Sequence, residues 1–135
     1  MPVALACHPA QPRRYRYWLE VQCGPDRAGP RLGVIMKNPS TATAQRSDPT
    51  LGKVTAWASR RGYNTLVVVN LFAFRATEPA ELNAVPYAAA VGPDNDRWLR
   101  AAAAEAADLV AGWGNANGIT PERYARRLDE VLALL

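Results

Sequence analysis

The stretch Thr65-Leu66-Val67-Val68-Val69 constrains the fold more than any other part of the chain. It is β-branched almost throughout and has no polar interruption. A run of this kind suits a strand covered on both faces, which points to a parallel strand in a sheet flanked by helices. The run then stops at a polar residue, Asn70. Two other stretches repeat the form: Leu32-Gly33-Val34-Ile35-Met36-Lys37 stops at Asn38-Pro39-Ser40-Thr41, and Leu109-Val110-Ala111 stops at Gly112-Trp113-Gly114. If the three are parallel neighbours, their polar ends meet along one rim.

Helix signals fall between them. Asp48-Pro49-Thr50 combines an N-capping carboxylate with proline at the first helical position. Leu51, Val54, Trp57 and Ala58 then form an apolar stripe, and Arg60-Arg61-Gly62 makes a C-terminal end. Pro93 begins a second helix, with Trp98, Leu99, Ala102, Ala103 and Ala106 on one face. Thr120-Pro121 begins a third, with the stripe Tyr124, Leu128, Val131, Leu132 and Leu135. Residues 71–91, with Pro79 and Pro86, read as one long loop.

Tyr15 to Val21 reads as a further strand, and the short, Gly- and Pro-rich link 22–30 predicts that it pairs as an antiparallel hairpin with residues 31–37. Residues 1–12 carry three prolines and no periodicity and read as irregular. Residues 13–135 are then expected to form a single α/β domain. The expected architecture is a three-layer α/β/α fold with a short, mostly parallel sheet of about four strands and an antiparallel N-terminal edge strand. The alternation also predicts a strand after the last helix. Either the protein ends on a docked helix or the sequence lacks that C-terminal strand.

The chain has 135 residues and 49% of them are apolar, which suits one packed core. Two cysteines, Cys7 and Cys23, make no disulfide framework, and the single histidine, His8, argues against zinc chemistry and a Ser-His-Asp triad. No metal and no cofactor is therefore expected. No apolar stretch reaches transmembrane length and no signal peptide is recognisable, so the expectation is a soluble cytoplasmic protein without a membrane partner. The formal net charge of +4 permits an anionic partner without requiring one.

In open α/β sheets, ligands bind beyond the carboxyl ends of the strands. That edge would receive Asn38, Ser40 and Thr41, then Asn70, Phe72, Phe74 and Arg75, then Trp113 and Asn115, with Asp48 at a helix start facing it. Amides, aromatics, a cation and a carboxylate suit a planar polar ring with a phosphate nearby. Plainer readings stand beside each. Asn38-Pro39 also ends strands, Asp48 is explained as a helix cap, one of Phe72 and Phe74 suits the core, and a loop arginine is by default solvated.

Five motifs in order resemble domain-of-unknown-function family 1643: Asn38-Pro39-Ser40-Thr41-Ala42, Asp48-Pro49-Thr50, Asn70 to Thr77, Gly92-Pro93-Asp94-Asn95-Asp96 and Trp113-Gly114. The likeness runs from about Tyr15 to the end of the chain and brings no established activity. Val34-Ile35-Met36-Lys37-Asn38-Pro39 more distantly resembles the first motif of the uracil-DNA glycosylase superfamily. Ser40 stands where those enzymes have glycine, and no His-Pro motif follows the last helix. That resemblance implies a hydrolase in which Asn38 positions a water, assisted by Asp48, and Phe72 stacks on an extruded base of DNA or a nucleotide. Two other readings compete: a non-catalytic nucleotide- or nucleic-acid-binding module, and an interaction protein stable as a homo-oligomer.

Overall fold

The computed structural model describes residues 3–10, 14–39 and 49–135. Five strands form one sheet: β1 (Val3–His8), β2 (Trp18–Gln22), β3 (Arg31–Met36), β4 (Thr65–Asn70) and β5 (Asp108–Ala111). The helices are α1 (Pro49–Arg60), α2 (Tyr87–Val91), α3 (Asn95–Glu105) and α4 (Pro121–Leu134), with a 3₁₀ turn at Pro79–Asn83. The strand order is β1-β2-β4-β3-β5. β3, β4 and β5 are parallel, and β2 is antiparallel to both β1 and β4.

All six residues of β4 are buried. Leu66 and Val68 face the α1 side with Leu51 and Ala58, whereas Val67 and Val69 face the other side with Leu99, Tyr124 and Val131. Burying each such side chain contributes about 1.5–3 kcal/mol, so the most apolar strand takes the centre of the sheet. The three layers are thus α1, the sheet, and α2 to α4.

That preference overturns the expected hairpin. β2 and β3 do not pair, because β4 lies between them, with Leu19 opposite Val68 and Ile35 opposite Val69. The link 23–30 wraps around the start of β4 instead. The Asn64 carbonyl accepts from the Cys23 and Gly24 N–H groups at 2.9 and 3.1 Å, and the Asn64 N–H donates to the Pro30 carbonyl at 2.9 Å. Glycine is required for this wrap: a Cβ on Gly24 would lie 2.9 Å from the Asn64 Cα.

Other expectations are also corrected. Val3–His8 is a strand, and β1 rather than β2 forms that edge of the sheet, giving five strands instead of about four. Residues 71–91 hold the 3₁₀ turn and α2. Trp57 is 37% exposed beneath the Arg61 guanidinium, 5.0 Å from its ring, and so leaves the predicted stripe. Leu132 and Leu135 are exposed as well, while Arg127 on α4 is buried. Its Nε donates to the Leu71 carbonyl at 2.6 Å and its Nη2 to Asp96 at 2.7 Å. The Asp48 cap lies outside the described residues. No described helix is long and apolar enough to cross a membrane.

Candidate functional site at the carboxyl ends of the parallel strands

β3 leads into α1 on one face of the sheet, whereas its neighbours β4 and β5 are followed by helices packed on the other. The chain leaves adjacent parallel strands in opposite directions, which opens a crevice at their carboxyl ends. A cavity of about 500 Å³ lies there. Its polar walls are Arg16, Lys37, Asn38, Thr50, Asn70 and Asn117, and Met36, Leu51, Val54 and Trp113 supply much of the apolar surface.

Asn70 closes β4 on the face shared with Leu66 and Val68. Its side chain is 1% exposed, and neither Nδ2 nor Oδ1 has a hydrogen-bond partner among the described residues. Each unpaired buried polar group costs about 1–3 kcal/mol, so an amide left this way on a cavity wall is unusual for a purely structural side chain. Its backbone carbonyl is engaged, accepting from the Asn95 side chain at 3.0 Å.

Asn38 closes β3. Its Nδ2 donates to the Ala76 carbonyl at 3.0 Å and to the Pro39 carbonyl at 3.2 Å, tying the end of β3 to the segment that follows β4. Both amide hydrogens are thus used in fixing the side chain, and Oδ1 is the atom with which it can accept.

β5 brings Trp113. The strand presses closely on β3 at this end: a Cβ on Gly112 would sit 3.0 Å from Val34 Cγ1 and 3.2 Å from Met36 Sδ. Beyond it, the Tyr124 hydroxyl donates to the Gly114 carbonyl at 2.6 Å, and Asn117 adopts a left-handed φ of 49°. These features hold the loop against the cavity mouth.

Arg16 enters from the antiparallel side. Because β2 runs against β4, the residues before β2 lie beside those after β4, and the Arg16 N–H donates to the Ala73 carbonyl at 3.0 Å. Burial alone pushes the Lys37 ammonium below the ordinary lysine range. None of the described lining residues is acidic. Among the described residues no group of three or more His, Cys, Asp or Glu side chains is placed to hold a metal ion.

The model of a family described as protein of unknown function, DUF1643, matches residues 16–135. The chain belongs to this family. No curated protein and no solved structure matches it. In this DUF1643 member, Asn38, Asn70 and Trp113 come together on one cavity wall system, as residues of three adjacent strand ends.

The remaining predicted site residues are placed otherwise. Ser40, Thr41 and Asp48 lie outside the described residues. Phe72 is fully buried and meets Tyr87 edge-on at 6.3 Å, so it is a core residue and not a stacking platform on the cavity. The cause is local: β4 ends at Asn70, and the chain then turns both Leu71 and Phe72 into the α2–α4 side. Phe74 bridges to Tyr15 and packs edge-on against its ring at 5.9 Å. Arg75 is half-buried, its N–H donating to the Arg14 carbonyl, and neither it nor Phe74 lines the cavity. Asn115 is exposed, and Asn117 takes the lining position.

Sequence reasoning missed Arg16, Lys37, Thr50 and Asn117 as site residues. Lys37 had a usable signal, because it immediately precedes the polar tip of β3. Arg16 had none until the pairing of β2 with β4 was known.

Proposed function

We propose that the cavity binds a nucleobase-bearing ligand and that Asn70 reads the edge of the base through both amide atoms. The observation that carries this reading is the buried Asn70 side chain, whose donor and acceptor both lack a partner among the described residues. A primary amide matches an adjacent acceptor and donor on a planar heterocycle, the pattern that nucleobase edges present. Trp113 supplies an aromatic wall for the ring, and about 500 Å³ is ample for a nucleoside.

A hydrolytic reading rests on Asn38. With Nδ2 held by the Ala76 and Pro39 carbonyls, Oδ1 has a fixed direction from which to accept a hydrogen bond from water. Such a water can add to the anomeric carbon as the bond to the base nitrogen breaks. The bonding pair leaves with the base, and the water gives its proton to a base such as Asp48. This is the N-glycosidase chemistry implied by the glycosylase resemblance, and it relies on positioning, because an amide is no general base. The non-catalytic reading is favoured by the lack of any carboxylate among the described lining residues.

Calorimetric titration with the four deoxynucleosides, and chromatography of any free base released, separates the readings. Binding that is lost in Asn70→Leu supports recognition. Base release that is lost in Asn38→Ala while binding persists supports hydrolysis. Unchanged affinity in Asn70→Leu would remove the proposal.

A further inference from the structure

We propose that Lys37 is an amine nucleophile on the cavity wall, and that the site captures the aldehyde carbon of a sugar as an imine on Lys37 Nζ. The amine chemistry stands on Lys37 itself, whereas naming a sugar as the source of the aldehyde rests on the nucleobase reading above.

Three observations carry it. The chain holds 16 lysines and arginines, and only two of these are lysines, Lys37 and Lys53. Lys53 is exposed on α1, whereas Lys37 is half-buried and lines the cavity of about 500 Å³. A chain that takes arginine almost everywhere as its cation therefore places on this wall a side chain able to give up its proton, which a guanidinium does not do. Second, burial pushes the Lys37 ammonium below the ordinary lysine range, and no carboxylate among the described residues forms an ion pair with it. The neutral amine is the nucleophilic form, and desolvation is one way in which a protein activates lysine toward carbonyl carbons. Third, the Asn70 amide is an independent pointer to a ligand in the same cavity, since it is almost completely buried and unpartnered among the described residues.

The step balances without an oxidant or reductant. The Nζ lone pair adds to the aldehyde carbon, the carbonyl π pair moves to oxygen, and that oxygen gains a proton as the nitrogen loses one. The carbon–oxygen bond then breaks, water leaves, and the nitrogen lone pair closes the carbon–nitrogen double bond. Lys37 directly precedes Asn38, so the amine and the amide that would hold water stand at the same end of β3, on the same cavity. Release of a base would leave C1 of the deoxyribose as a hemiacetal, which opens to the aldehyde that the amine takes. That aldehyde can belong to a free deoxyribose phosphate or to an abasic position in a DNA strand.

The test incubates the full chain with 2-deoxyribose 5-phosphate, or with an oligonucleotide carrying one abasic site, in the presence of cyanoborohydride. The reagent delivers hydride to the imine carbon and fixes it as a secondary amine, which peptide mass mapping then locates. Lys37 is expected to be labelled about tenfold more than Lys53, because seating the aldehyde in the cavity raises its effective concentration there. Lys37→Arg, which keeps a cation but has no amine to add, should lose the adduct, and Lys53→Arg should keep it. An oligonucleotide whose abasic position lacks the aldehyde should give none. Stronger labelling by the free sugar phosphate identifies a small-molecule source, and stronger labelling by the oligonucleotide identifies a strand; either supports the proposal. Equal labelling of Lys37 and Lys53 in the natural protein overturns it, a comparison that does not depend on any variant folding. Absence of a Lys37 adduct with nucleoside binding intact overturns it too and leaves the base reading standing. A Lys37 adduct without any nucleoside binding supports the amine and overturns the base reading.

Discussion

Replacing Asn70 by leucine should make the free protein more stable while destroying its binding site. The side chain is 1% exposed and its two polar atoms lack partners among the described residues. Burial without a partner costs about 1–3 kcal/mol for each such group, and solvent reaching the cavity relieves part of that, so a net penalty of about 2 kcal/mol is expected. Leucine has a comparable length, and its extra volume can extend into the adjacent cavity beside Val34, Val68 and Leu51. Overpacking should therefore not cancel the gain. For a chain of this size, about 2 kcal/mol corresponds to a rise in Tm of roughly 6–10 °C. Urea melts with unchanged m-value, paired with scanning calorimetry, measure the effect. A ligand that raises the Tm of the natural protein by mass action should leave the variant's Tm unmoved. If Asn70→Leu instead lowers stability by 1 kcal/mol or more, the amide is already satisfied in the folded protein, and the argument for a reading head at the end of β4 fails. Gained stability with lost binding is the trade-off expected of a side chain kept for function.

Three further outcomes follow from the structure. Arg127→Met should cost about 2–3 kcal/mol in chemical denaturation, because the buried guanidinium donates to the Leu71 carbonyl and to Asp96, both lost together. A loss below 0.5 kcal/mol, about the size of an ordinary surface change, would show that these bonds contribute nothing net. Gly24→Ala should destabilise by about 1–2 kcal/mol, since its Cβ would lie 2.9 Å from the Asn64 Cα; a neutral effect would show that the link's wrap around Asn64 does not require glycine there. Tyr87 is pushed well above the ordinary tyrosine value of 10.0 by burial and then by its hydrogen bond to Glu130. Its stabilising contribution is complete below that value and is lost as pH rises above it, because the unfolded chain ionises first. Stability should accordingly fall above about pH 10, and Tyr87→Phe should flatten the decline in a pH series of urea melts.

The candidate site was partly legible because strand ends are local signals. Asn38, Asn70 and Trp113 each follow an apolar run, and parallel pairing turned those three positions into one cavity wall system. Phe72 was misread because extending the alternation of β4 past Asn70 assumed a strand that had already ended. Arg16 was beyond reach of the sequence, because its place depends on which strand pairs with β2, a choice made some fifty residues away along the chain.

Taken alone, the sequence determined the α/β class, the positions of β3, β4 and β5, and the helix starts at Pro49 and Pro121. Hydrophobic periodicity and capping act over a few residues, so a few residues suffice to show them. The tertiary structure alone decided that β4 separates β2 from β3, that Arg127 is buried against Leu71, and that the Asn70 amide has no described partner. Strands compete for the most buried position, and polar atoms are satisfied or left wanting by whatever distant residues arrive beside them. Those outcomes depend on the assembled interior, which no local pattern encodes.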